Sequence, residues 1–240
     1  MEHKKSLLNS SALPITPQIE LYIPTVGEIL EDEKYYYNLV FSLCSTPSDY
    51  MVQLDDAGID YTKITDYELF LMLFQMHKAQ DFSLLFPKLD MSGFQICSNS
   101  ETQEKVLYDE MSGIMLDSLI TSQITDTLRL INGLKKHVVK PGNDEAKRYL
   151  LEKERKRLKR NANKPYKSQL ENLVIALVNR AEFKYNYEEV MDLSIYKFNQ
   201  SFNQIRTGIN FHNTMRGIYA GTIDISKITD KASLSWISED

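Results

Sequence analysis

The sequence predicts a mainly α fold, with helical N- and C-terminal lobes and a small β-hairpin insertion in the middle. Three observations lead there. Gly and Pro are scarce, nine and seven in 240 residues, which favours long regular elements over a turn-rich sandwich. Thr25-Val26-Gly27-Glu28, Thr65-Asp66-Tyr67-Glu68 and Ser168-Gln169-Leu170-Glu171 carry the capping-box pattern, in which a hydroxyl and a carboxylate satisfy free N–H groups at a helix start. Alternation with a period of two is marked only in a short central stretch after Gly93, as expected for a few strands.

Taken in order, residues 1–20 are Ser-rich, contain Pro14 and Pro17 and lack periodicity, so they read as a flexible arm. A helical N-terminal lobe follows over 21–92. After Thr25, Ile29, Tyr36, Tyr37, Val40, Phe41 and Cys44 recur at helical spacing up to Pro47. A short helix from Ser48 groups Tyr50, Met51, Leu54 and Ala57, with Gly58 as its left-handed stop. Leu69 to Met76 is apolar on nearly every side, which predicts a central helix of that lobe.

Residues 93–141 read as a small α+β insertion. Phe94 to Cys97, Val106 to Tyr108 and Gly113 to Leu116 form strands around an Asp109–Ser112 turn, and a helix spans Ser122 to His137 with Ile124, Leu128, Ile131 and Leu134 on one stripe. Lys140-Pro141-Gly142-Asn143 marks the lobe boundary. The helical C-terminal lobe, 142–240, opens with a basic helix capped by Asp144 and carrying a thin seam of Leu151, Leu158 and Ala162. Leu170, Leu173, Val174, Leu177 and Ala181 predict a core helix, and Ile195, Phe198, Phe202, Ile205, Ile209 and His212 a seam ending at Gly217 or Gly221.

Charge divides the chain sharply. Between Lys147 and Lys167, ten basic residues face only Glu152 and Glu154; this +8 leaves −13 on the remainder of a chain whose formal net charge is −5. Such a basic strut on an acidic body argues for work by contact. A solvated helix face is the favoured reading of 147–167. Docking onto an acidic protein surface, including the chain's own N-terminal lobe, comes second. Nucleic acid comes third, because no aromatic interrupts Glu152 to Pro165 and the sequence pI is about 5.5.

Chemical signatures do not emerge. There is no phosphate-binding Gly-rich loop, dinucleotide glycine triplet or nucleophile elbow. His3, His77, His137 and His212 have no metal-ligand spacing, and His77 reads as a core or helix-end residue. Asp55, Asp56 and Asp60 lack the ligand pattern of a calcium loop. Cys44 and Cys97 read as free thiols, and Leu43, Ser45 and Thr46 give Cys44 no activating base. The expectation is a protein that is no enzyme, with no catalytic, cofactor-binding or metal-binding residues and no cofactor. Neither an export signal nor a membrane span is expected, the longest apolar run being Leu69 to Phe74.

Several stretches resemble proteins of tailed bacteriophages: Tyr22-Ile23-Pro24-Thr25-Val26-Gly27-Glu28-Ile29, Asp49 to Asp60, Asp66-Tyr67-Glu68-Leu69-Phe70, Phe198-Asn199-Gln200-Ser201, Gly217-Ile218-Tyr219-Ala220-Gly221 and Leu234-Ser235-Trp236-Ile237. From about residue 20 onward the chain looks most like the tail assembly chaperones of the tail-gene region. The resemblance implies a non-enzymatic protein of the host cell cytoplasm during infection. It implies binding to the tape-measure protein and help with tail tube assembly, with absence from the mature virion. Self-association is compatible with it. The alternatives are a virion structural or baseplate-assembly protein, and a nucleic-acid-binding accessory factor using 147–167.

Overall fold

The computed structural model describes residues 6–99 and 102–237; His3, Lys4 and Lys5 lie outside them. Among the described residues the fold is mainly α, with ten helices and two small antiparallel sheets of two and three strands.

The N-terminal stretch departs from the expected flexible arm. β1 (Ala12–Pro14) pairs antiparallel with β2 (Glu20–Tyr22), placing Leu13 opposite Leu21. Ile19, Leu21 and Ile23 alternate along one face and all enter the core. Pro14 ends β1 opposite Glu20 and Pro17 lies in the hairpin connection, where Ile15 N–H donates to Ile19 O and Thr16 Oγ1 accepts from Ile19 N–H. The prolines shape a turn here and do not mark disorder.

The first two capping boxes form as expected. Thr25 and Glu28 close the start of α1 (Val26–Glu31), and Thr65 and Glu68 that of α4 (Asp66–Met72). The single helix expected up to Pro47 is two: Asp32 interrupts it and caps α2 (Glu33–Cys44) by accepting from Tyr35 N–H. After α3 (Met51–Asp56), Gly58 takes the left-handed conformation at φ 72°. The Leu69 to Met76 stretch is also broken, at Leu73, into α4 and α5 (Phe74–Lys78). Leu69, Phe70 and Phe74 are buried, but Met72 and Met76 face solvent, so this segment lines the core without being surrounded by it.

The central strands fall where expected: β3 (Gln95–Ser98), β4 (Lys105–Asp109) and β5 (Ile114–Leu116) form one antiparallel meander, although β3 is exposed along its whole length and does not bury alternate residues. Asp109 fixes the last turn by accepting from the N–H groups of Met111 and Ser112 and from the Ser112 hydroxyl. Helix α6 runs Ser118–Asn132, four residues earlier than the apolar stripe suggested, because Asp117 caps it. It ends at left-handed Gly133, leaving Leu134 outside the stripe and exposed.

The remaining helices are α7 (Asp144–Asn161), α8 (Leu170–Val178), α9 (Tyr187–Met191) and α10 (Ile195–Tyr219). Asn143, one residue before Asp144, caps α7. Helix α9 starts with a complete box between Asn186 and Glu189, a local pattern the sequence reading missed.

The principal core does not divide at Lys140–Asn143. It is continuous from Ile19 through Tyr36, Leu128 and Val174 to Phe198. Backbone bonds tie the chain's two halves directly: Val26 N–H donates to Leu193 O and Ile195 N–H to Pro24 O, both at 2.8 Å. The expected lobes therefore share one interior, and the basic helix is not their joint. A smaller cluster of Met51, Val52, Leu54, Tyr61 and Leu69 lies to one side and receives Leu151 of α7.

Candidate interaction surfaces

Two surfaces follow from this packing: the basic helix α7, and an open groove between α8 and α10.

Helix α7 touches the body along one side only. Leu151 is its single buried residue and seats in the satellite cluster. Around that anchor the cations find the acidic end of α3 and the loop after it. Arg155 Nη2 lies 2.7 Å from Asp55 Oδ2 and 2.6 Å from Asp56 Oδ1, and Lys147 Nζ lies 2.6 Å from Asp60 Oδ1. Lys147 also sits 5.7 Å from the centre of the Tyr61 ring. The bonds from Lys147 and Thr62 hold the Asp60 carboxyl well below the usual carboxylate range, and Arg155 does the same for Asp56. The acidic trio is thus the dock for the basic helix. Part of the run behaves as an intramolecular contact, where the favoured expectation was a wholly solvated face. These surface pairs contribute little individually, because solvent screens them. Leu151 supplies the apolar burial that fixes their register.

From Lys156 to Lys167 every residue is exposed, Leu158 included, and the segment after α7 returns to the body where the Tyr166 hydroxyl bonds Glu33. Arg157 is held by Glu154 on its own helix.

The second surface lies wholly within the C-terminal third. Helix α8 is capped from far away. The Glu33 carboxylate accepts from the Ser168 hydroxyl, from Gln169 N–H at 2.9 Å and from Leu170 N–H at 3.1 Å. The expected third capping box is half made: Ser168 Oγ accepts from Glu171 N–H, but Glu33 replaces Glu171 as the carboxylate. Burial pushes the Glu33 carboxyl up, yet the bonds from Ser168, Leu170, Gln169 and Tyr166 outweigh it and hold the carboxyl below its ordinary value.

So positioned, α8 buries Leu170, Val174 and Leu177 and leaves Ile175 facing solvent. Along α10 the expected seam fades: Ile195 and Phe198 are buried, Phe202 and Ile205 are half-buried, and His212 is exposed. Between the helices an open groove of about 190 Å³ is lined by Leu173, Ala176, Leu177, Phe202, Ile205 and Ile209, with Arg180 and Arg206 also on its walls. Helix α10 ends before Gly221, at φ 69°, and the chain folds back so that Gln204 Nε2 donates to Trp236 O at 2.7 Å. Tyr219, Ile225, Trp236 and Ile237 remain exposed around this return.

Two of the side chains with chemical potential, His77 and Cys44, are packed into or against the core. His77 is buried against Phe70 and Phe82. Cys44 is packed beside the core, and burial pushes its thiol up to about 12 although Arg129 pulls the other way. Cys97 is a free, exposed thiol on β3. His137 Nδ1 lies 2.7 Å from Asp49 Oδ1. Among the described residues no His, Cys, Asp and Glu group has metal-site geometry, and no helix is long and apolar enough to cross a membrane.

These features define a mainly helical protein with an open apolar groove between α8 and α10. Residues 160–239, a third of the chain that includes both helices, match the family model described as the YomV second domain. That family derives from a Bacillus phage region, and the match points to a phage protein. No curated protein and no solved structure matches the chain.

Proposed function

We propose that this chain is a non-enzymatic bacteriophage tail assembly chaperone, acting in the host cell cytoplasm during infection. It binds the tape-measure protein and assists assembly of the tail tube around it. The observation that carries this reading is the α8–α10 groove, which lies entirely inside the stretch that matches a phage family. An apolar trough between two helices is the acceptor geometry for an amphipathic client helix, and an elongated helical client offers many such faces. The buried neutral His77 and the raised Cys44 thiol support a role without catalysis.

The test is co-expression with the phage tape-measure protein. The wild-type chain is expected to keep the client soluble. Ile209→Asp, which removes an apolar contact and sets a carboxylate among the apolar side chains of the groove, is expected to weaken capture by about tenfold, because a client helix would have to desolvate a charge that Arg180 and Arg206 on the walls offset only in part. Equal capture by both proteins, with Ile209→Asp still folded by circular dichroism, contradicts the groove. An insoluble client with either protein contradicts the chaperone reading itself.

A further inference from the structure

The cations that α7 does not use on its own body form a defined face. Tyr149, Lys153, Lys156 and Arg160 follow one another at steps of 4, 3 and 4 residues, on the side of the helix opposite buried Leu151. At 1.5 Å rise per residue, successive groups on this stripe stand about 5–6 Å apart. Among the described residues, Lys153, Lys156, Lys159, Arg160, Lys164 and Lys167 are exposed and make no ion pair. No acidic residue occurs between Arg155 and Leu170 to neutralise them. A cationic arm of this kind, on a body carrying −13, is an unfilled half of an electrostatic contact.

The other side of the same helix shows what such a contact looks like in this protein. There Arg155 takes two carboxylates of α3 at once and Lys147 takes a third. Carboxylates left without a cation also exist elsewhere on the molecule. Helix α9 packs on α1, where Gly27 approaches the Met191 backbone so closely that an added Cβ would sit 3.1 Å from its carbonyl oxygen. On this packed pair Glu31, Glu188 and Asp192 are exposed and make no ion pair among the described residues. Glu188 and Asp192 are four residues apart, a spacing that presents two carboxylates to one side.

The geometry points to a second copy of this chain as the occupant of the arm: the Lys153–Lys156–Arg160 face of one molecule docks on the Glu31, Glu188 and Asp192 face of the next. Arm and acidic face are different surfaces, so the contact is head-to-tail and propagates into rings or short filaments. It repeats between molecules the Arg–carboxylate chemistry that seats α7 within one, and it is independent of whether the α8–α10 groove holds a client.

Charge exchange tests the pairing. Sedimentation velocity of the full chain is expected to show association in about 50 mM salt that is lost in about 500 mM, where the screening length falls to a few ångströms. Lys156→Glu with Arg160→Glu, and separately Glu188→Lys with Asp192→Lys, are each expected to weaken self-association at least tenfold. An equimolar mixture of the two variants is expected to associate again, since the acidic arm of the first meets the basic face of the second. A wild-type chain that stays monomeric in low salt overturns the proposal. So does association that survives in either variant, or a mixture that fails to recover it. Polynucleotide sedimenting with the wild-type chain and shed by the arm variant would instead make nucleic acid the occupant, and overturns it equally.

Discussion

Glu33→Ala is expected to destabilise the protein by about 2–3 kcal/mol, the cost of leaving the buried Leu170 N–H and the half-buried Ser168 hydroxyl without their acceptor at about 1–3 kcal/mol each. Glu33 stands in the first turn of α2, where the helix dipole already favours a negative charge. From there its carboxylate reaches Ser168, Gln169 and Leu170 at the start of α8, so one side chain serves two helix N-termini. Only 6% of it is exposed, and water does not readily replace the lost bonds. Glu33→Gln keeps the shape and one acceptor oxygen but loses the charge, and about half the penalty is expected. Chemical denaturation of the three proteins at neutral pH measures both values. A change below about 0.5 kcal/mol for Glu33→Ala would show that α8 does not depend on this cap. The pH sense follows from the lowered carboxyl: the contribution is fully present above 4.5 and is lost as pH falls through the folded-state value.

His77 imposes a second, earlier acid weakness. Its ring is fully buried, 4.7 Å from the Phe70 ring centre and 6.2 Å from that of Phe82. Nε2–H faces the Ser42 carbonyl at 3.3 Å, and Nδ1 has no hydrogen-bond partner. Burial lowers the imidazole from 6.5 to about 4, partly opposed by the Ser42 carbonyl. Because the unfolded chain binds this proton at higher pH than the folded one, stability is full above 6.5 and declines as pH falls toward 4. The slope approaches about 1.4 kcal/mol per pH unit for one proton. His77→Phe and His77→Gln remove the titrating group. In urea titrations their loss of stability between pH 6.5 and 4 is expected to be smaller than that of the wild type by about 2–3 kcal/mol. Parallel pH profiles for all three would contradict a neutral, buried imidazole.

What the sequence disclosed, and what it hid, follows the range of the interactions involved. Thr25 with Glu28, and Thr65 with Glu68, are partners three residues apart and were legible as caps. The Asp109–Ser112 turn was equally local. Ser168 carries the same pattern, but its carboxylate comes from a residue 135 positions away, and no local rule points there. The N-terminal hairpin was hidden behind two prolines, although Ile19, Leu21 and Ile23 already alternate as a half-buried strand does. Asp55, Asp56 and Asp60 were visible as a cluster, and Lys147 and Arg155 as part of a charge run. Only the fold, through Leu151, brings the two together. The α8–α10 groove was not legible, since Leu173 and Ile209 each read as ordinary core positions and only the fold sets them on facing walls of an open groove. The continuous core from Ile19 to Phe198 likewise requires pairings such as Val26 with Leu193 that composition shifts at Lys140–Asn143 cannot reveal.

The central claim is that this protein works on a phage tail while it is being built and does not become part of it. Quantitative mass spectrometry of infected cells and of purified particles from the same culture tests that directly. The account predicts abundant chain in the cells and no more than trace amounts in the particles. A fixed stoichiometric ratio of the chain to tail proteins in purified particles would contradict it and make the protein a structural component.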